Sequence, residues 1–286
     1  MKLAWQLIVL DGDLVLDEML TTVEKYGKVY CAEGAVDWYV EHGVTGSTDN
    51  TIPILKKHKV KYTSGIWSEK DEMCNAALSL MPQDIQWVWC VDADELYLEH
   101  DIETVLELLE KEQYDSVAFR AMDFFAGFSR YVGGFGYDFP FHRIQRYYHG
   151  CTWLTHRPPT ILAQDGFPWR EHKHLSHEDT ERLGIFLYHY SYTMPKATHD
   201  KAQYYDREAG TIPNWFADVW MKWALGDEQE RGRIEQAYHG VHNWDISRRG
   251  NSFTVPFTGQ HPKVIRDSMP RLQERFDREL AQWQNI

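Results

Sequence analysis

Short apolar runs alternate with segments of helical periodicity over the first ninety or so residues of the chain. Leu3 to Leu10 reads as a strand, and Asp13 caps a helix in which Leu16, Met19, Leu20 and Val23 recur at helical spacing before Gly27 ends it. Lys28 to Ala32 is a second strand closing on Glu33-Gly34, and Ala35 to Thr45 reads as a loop. Gly46-Ser47-Thr48-Asp49-Asn50-Thr51 then supplies capping residues for a helix through Ile52, Ile54 and Leu55 to Lys57, with Pro53 in its first turn. Val60 to Thr63 is a third strand, and Ser68 to Leu80 an amphipathic helix with Met73, Ala76, Ala77 and Leu80 inward. The run Ile85-Gln86-Trp87-Val88-Trp89-Cys90-Val91 reads as a strand buried on both faces. Strand and helix alternating four times predict an α/β fold with a mostly parallel, doubly wound sheet flanked by helices.

Beyond that point the pattern is less regular. Ile102 to Lys111 is a helix, Ser116 to Met122 a strand, and Phe124 to Phe141 a glycine- and aromatic-rich loop suited to a lid or a binding surface. His142 to Tyr148 and Trp153 to Ala163 read as a strand pair around Gly150. Glu171 to Leu183 is polar and irregular, and Gly184 to Tyr190 is another strand. From Lys196 helices dominate, including Asn214 to Leu225, Asp227 to Tyr238 and Pro270 to Gln284, around an irregular stretch from Pro256 to Pro262.

The most informative feature is Asp92-Ala93-Asp94-Glu95, directly after the Trp87 strand. Ligands of open α/β sheets bind beyond the carboxyl ends of their strands. In an extended segment Asp92 and Asp94 would project to the same side, where two hard oxygen donors can share Mg²⁺ or Mn²⁺. An exposed acidic turn is the plainer alternative, and Asp11-Gly12-Asp13 is a second copy of the pattern. Acids closing an apolar strand, however, suffer desolvation and repulsion unless a cation or hydrogen bonds offset them.

Composition narrows the choices. A formal charge of −13 opposes broad contact with nucleic-acid phosphates, so a nucleic-acid acceptor is disfavoured, although a basic cleft around Arg143, Arg146 and Arg157 would escape that argument. Cys31, Cys74, Cys90 and Cys151 form no CxxC pair and read as reduced core residues. No stretch resembles a signal peptide or approaches the ~20 apolar residues of a membrane span, which predicts a soluble, cytoplasmic protein. Twelve Trp and 16 Tyr fit either core anchors or rings stacked on sugar faces. The cluster Glu171-His172-Lys173-His174-Leu175-Ser176-His177 lacks the HExxH spacing of zinc hydrolases, and GxSxG, GxxxxGK[ST] and GxGxxG motifs are all missing.

The order of these pieces resembles the family 2 glycosyltransferases with their nucleotide-sugar-binding GT-A fold. The likeness rests on the first strand and helix, the Gly46 to Thr51 turn, Trp67 to Asn75, Asp92 to Glu95, and His189-Tyr190-Ser191-Tyr192 followed by Lys201, over residues 1–205. It implies a catalytic domain at 1–195 with a mostly helical extension at 196–286. It also implies a metal-dependent transfer of sugar from a nucleoside-diphosphate sugar, expected to be a UDP-sugar, to a hydroxyl of a glycan or glycoconjugate. Glu33 would meet the base or ribose, Lys70 the nucleotide or its phosphates, Asp92 the ribose or the metal, Asp94 and His189 the metal, and Lys201 the diphosphate.

Two departures from the family pattern stand out. Ala35 to Thr45 intervene between Glu33-Gly34 and Gly46, and His156-Arg157 stands where some relatives carry His-Glu. An inverting transferase needs a carboxylate base, for which Asp165 and Glu171 are the candidates, with Asp123 and Asp138 behind them. A sugar nucleotidyltransferase and a non-catalytic carbohydrate-binding protein are the alternatives. The former would want a glycine- and basic-rich loop where Asp11-Gly12-Asp13 stands.

Overall fold

The computed structural model describes residues 1–111, 113–157, 159–247 and 250–284. The elements run β1 (Leu3–Val9), α1 (Leu16–Val23), β2 (Lys28–Val36), α2 (Asp37–Glu41), α3 (Thr51–Lys57), β3 (Lys61–Trp67), α4 (Lys70–Ser79), β4 (Trp87–Cys90), β5 (Glu95–Leu96), α5 (Glu99–Glu110) and β6 (Ser116–Phe125). There follow β7 (Arg130–Val132), α6 (Phe135–Asp138), β8 (Phe141–Arg146), β9 (Trp153–Thr155), β10 (Thr160–Ile161), β11 (His174–Leu175), α7 (His177–Arg182), β12 (Phe186–Tyr192) and α8 (Pro195–Tyr205). The π-helical stretch Phe216–Met221 runs into α9 (Lys222–Leu225), and α10 (Glu228–Tyr238), β13 (Thr254–Pro256) and α11 (Lys263–Trp283) complete the chain. Two compact units form, one from Met1–Phe119 and Pro140–Phe186, the other from Arg120–Phe139 and Leu187 onward.

The first unit is built on the parallel order β4-β1-β2-β3, with Trp5 of β1 opposite Val29 and Trp89. Strand β8 adds antiparallel to β4 and to the start of β6, Ile144 facing both Trp89 and Val117. Alternation sends Trp5 and Trp89 to one face, where their rings stack at 4.5 Å and Phe119 lies 5.7 Å beyond. Ala4, Val88 and Cys90 face the other side and pack with Cys74 and Leu78 of α4. Gln6, buried in that layer, donates to the Cys74 carbonyl at 2.8 Å and accepts from the Trp153 indole at 2.9 Å, as a buried amide must.

Several expectations shift here. β2 does not stop at Gly34: it pairs with β3 through Gly34–Gly65, Ala35–Ile66 and Val36–Trp67, and the expected loop then holds α2. Gly34 makes this possible, because it sits at φ +135 and a Cβ there would lie 2.1 Å from the Gly65 carbonyl oxygen. The expected pairing of His142–Tyr148 with Trp153–Ala163 does not form. β8 is drawn into the sheet by buried Ile144, whereas β9 pairs with β10 and is fixed on α4 through Asn75, which accepts from the Trp153 N–H at 2.7 Å. The polar segment after Glu171 is also ordered, as β11 and as α7 capped by Ser176.

In the second unit β6 pairs with β7, and β7 with β13. The aromatic loop expected over Phe124–Phe141 therefore contains a strand and the short α6. Trp220 donates to the Tyr192 carbonyl and Trp223 to Glu235, so two of the indoles here are satisfied core anchors. α11 starts well before Pro270 and carries that proline inside it, held by buried Ile265, Leu272 and Phe276.

Candidate functional site

At the carboxyl end of β1 the chain turns at Asp11, whose φ is 48. The Asp11 carboxylate accepts the N–H of Thr48 at 2.6 Å and of Asp49 at 3.3 Å, while the Asp11 N–H donates to Ser47 Oγ at 2.9 Å. The Gly12 N–H donates to Thr51 Oγ1, Asp13 N–H to Asp49, and Asn50 to Asp13. This clasp joins the end of β1 to the start of α3. Glu33, 4% exposed within β2, accepts the Ser47 N–H at 2.8 Å and so ties the same loop from the neighbouring strand.

The second acidic tripeptide follows β4. The chain leaves the strand at Cys90 and makes a turn, closed by the Glu95 N–H donating to the Asp92 carbonyl at 3.1 Å. Asp92 and Asp94 therefore lie in a turn and not along an extended strand, so the alternation argument does not hold for them. The Asp92 N–H donates to Glu95 Oε2 at 3.1 Å. Glu95 is fully buried, and its carboxylate is held by Arg143 of β8, with Nε 2.9 Å from Oε2 and Nη2 against Oε1. The same Nη2 donates to Asp92 Oδ2 at 3.2 Å. Burial opposes the Arg143 charge, but Glu95 and Asp92 outweigh it and hold the guanidinium firmly protonated. The three carboxylates of the turn and this one guanidinium sum to two negative charges. The Asp92 side chain is 38% exposed, and Asp94 is half-buried.

Two hard carboxylates in a group of net charge minus two suit Mg²⁺ or Mn²⁺, which commonly keep water and substrate phosphates as their other ligands. Among the described residues no three His, Cys, Asp or Glu side chains gather as a metal-ligand set. Asp92 and Asp94 are the acids of the turn that are not fully buried and whose chemistry fits such an ion.

Lys70 opens α4, and the β9–β10 turn carries His156 into the same electrostatic neighbourhood. Burial and the Lys70 charge push the His156 imidazole well below its ordinary value, against the pull of Asp92. Lys70 and Asp92 thus both act on His156, whose burial favours the neutral ring. Asp165 is exposed at a tight turn, where it accepts the Phe167 N–H at 3.1 Å and lies 3.3 Å from His172 Nε2. Glu171 is exposed in a 3-10 turn.

Within the second unit His189 is buried on β12 and its Nδ1 is hydrogen-bonded to Asp123 of β6. A carboxylate in that position fixes a histidine's tautomer and ring orientation, so Asp123 is occupied in orienting His189. Lys201 donates to Ser191 Oγ and lies 5.1 Å from the Tyr192 ring. Asp138 pairs with Arg120.

Arg143 was placed by the sequence only in a candidate basic cleft with Arg146 and Arg157 and was missed as the partner of the acidic turn. Its one signal was a cation beside the apolar Ile144 in a strand, and nothing along the chain pairs it with acids some fifty residues earlier.

No helix among the described residues is long and apolar enough to cross a membrane. No curated protein sequence matches the chain significantly. The sequence model for Glycosyl transferase family 2 matches residues 45–161, a span containing Lys70, the acidic turn and Arg143. Among solved structures, S. aureus TarS is similar at 14% identity over 43% of this chain and 22% of that one, with a TM-score of 0.33. TarS 1–349 in complex with UDP-GlcNAc gives 14% over 43% and 35%, with a TM-score of 0.34. Mannose-1-phosphate geranyltransferase from Thermus thermophilus gives 10% over 90% and 74%, with a TM-score of 0.28. The chain thus spans about a fifth to a third of the TarS chains. These likenesses are remote and carry no assignment; what the comparisons show is that the segment 45–161 is similar to Glycosyl transferase family 2.

Proposed function

We propose that the protein moves a glycosyl group from a nucleoside-diphosphate sugar, with UDP the nucleotide to test first, onto a hydroxyl of a glycan or glycoconjugate. The observation that carries this reading is the acidic turn Asp92–Glu95 beyond the carboxyl end of β4, whose carboxylates outnumber the Arg143 guanidinium that holds them. Asp92 and Asp94 would hold a divalent cation. Such an ion supplies charge neutralisation for a departing diphosphate. Lys70, in the first turn of α4, adds a positive charge in the neighbourhood of Asp92.

In the transfer the acceptor oxygen forms a bond to the anomeric carbon while that carbon's bond to the diphosphate oxygen breaks, its electron pair leaving with the nucleotide. The acceptor proton passes to a base. Glu171 is better suited to that role than Asp165, whose carboxylate is already engaged by its own turn and by His172.

The test is thermal stability against UDP, GDP, CDP, ADP and dTDP, with and without Mn²⁺, since a ligand of the folded state raises stability by mass action. A Mn²⁺-dependent rise with UDP, followed by Mn²⁺-dependent release of UDP from a UDP-sugar, is the expected result. A rise with another nucleotide alone would change the donor. No rise with any nucleotide in folded protein would favour a non-catalytic carbohydrate-binding role.

A further inference from the structure

We infer that Arg143 is the positioning residue of the acidic turn, locking Asp92 in one rotamer and withdrawing Glu95 from the donor set. This rests on the cation platform proposed above and concerns how it is built.

Glu95 is adjacent in sequence to the two acids and carries the same kind of oxygen donor. In the fold it is fully buried, with one oxygen taken by Arg143 Nη2 and the other by Arg143 Nε and the Asp92 N–H. The guanidinium has a planar fork of donors, so the geometry that satisfies Glu95 also sets Nη2 against Asp92 Oδ2 at 3.2 Å. One side chain thereby acts on both the charge of the turn and the orientation of its first acid. Phe141 packs 5.4 Å from the guanidinium centre and Tyr97 lies within its field, which keeps the group in place away from solvent. Partners that orient a ligand in this way typically matter by 10- to 100-fold in metal affinity.

A purely structural role for Arg143 would be to neutralise Glu95. The two roles separate in the double variant Arg143→Met/Glu95→Gln. It removes the buried pair together, which spares the fold the uncompensated charge of a single replacement, and leaves the summed charge of the turn unchanged. The amide that replaces the Glu95 carboxylate retains an oxygen to accept the Asp92 N–H; only the hold on Asp92 is lost.

The experiment titrates Mn²⁺ alone into the full chain and follows the free ion by electron paramagnetic resonance, counting only the binding that Asp94→Asn removes. Thermal unfolding of each variant is measured alongside. The double variant is expected to weaken that binding by roughly 10- to 100-fold with a melting temperature near wild type. Arg143→Lys, which keeps the charge without the fork, should fall between. Wild-type affinity in the folded double variant, or in Arg143→Lys should the double variant not fold, overturns the inference and leaves the platform standing. No Asp94-dependent binding in the wild type removes the platform and the inference with it.

Discussion

Asp11-Gly12-Asp13 and Asp92-Ala93-Asp94 are the same pattern at the ends of neighbouring parallel strands, yet the fold uses them in opposite ways. The first pair is consumed locally. Asp11 accepts the amides of Thr48 and Asp49, Asp13 accepts from Asn50, and the result is a structural clasp at the entry to α3. The second tripeptide is answered from the adjacent strand β8, where a single buried guanidinium takes one oxygen of Asp92 and both of Glu95. An acid tripeptide therefore says little until its partners are known: the first pair clasps the loop before α3, and the second is proposed above to hold a cation. The two also touch, because a Cβ on Gly12 would lie 2.8 Å from the Ala93 Cβ and 2.5 Å from Val9 Cγ2.

The largest effect that bears on this contrast is on turnover. Asp94→Asn should cost about a thousandfold or more in kcat, the scale of several kcal/mol of lost charge stabilisation, with a melting temperature near wild type. Unchanged activity would erase the distinction between the two tripeptides. Next in size, Glu171→Gln should lower kcat about 100-fold, the range of a general base, while Asp165→Asn stays within a few-fold. The reverse order in steady-state kinetics would mean that engagement by local amides does not mark an acid as structural.

Gly12→Ala tests the contact between the pairs. Overpacking against Val9 and Ala93 should destabilise by about 1–3 kcal/mol and also lower turnover, because the displaced Ala93 lies between the two acids. Denaturant unfolding with parallel kinetics would check this, and a variant with wild-type values in both would disconnect the clasp from the turn. Asp11→Ala removes the oxygen that accepts two amide N–H groups and places alanine at positive φ, for about 1–2 kcal/mol; kcat measured under stabilising conditions should be little changed.

An effect confined to acid pH concerns the packing around β8. Burial, with His174 beside it and Arg170, Arg143 and His177 nearby, pushes His142 down to about 4 from 6.5. The folded state thus favours neutral His142, so the unfolded chain binds the extra proton between those values. Its contribution is complete above about pH 6.5 and is lost as pH falls through 4. His142→Gln should flatten that part of the stability profile, and unfolding midpoints at pH 4, 5.5 and 7 compared with wild type would reveal whether it does.

Much of the first unit is legible in the chain, because its signals are local. The apolar runs at Leu3, Lys28 and Trp87 and the helical spacing of Leu16 to Val23 fall within a few residues of the observed elements. What failed depended on distant neighbours. β2 outruns its apolar run because Gly34 lets Gly65 approach, and β8 joins the sheet instead of the Trp153 strand because Ile144 is wanted between β4 and β6. Asp123 looked like a spare base until the fold set it against His189.

Order along the chain was enough to establish the alternation of strand and helix, the family segment and the location of the acids after β4. These follow from periodicities of two and 3.6 residues and from short ordered motifs, all properties of neighbours along the chain. It took the folded molecule to make Glu33 tie down the Ser47 loop, to make Asp11 and Asp13 clasp the same loop, and to set Arg143 against Glu95 and one oxygen of Asp92. The physical reason is that the net charge of a site is a sum over residues gathered in space, and burial, which makes each of those charges costly unless paired, exists only once the chain has folded.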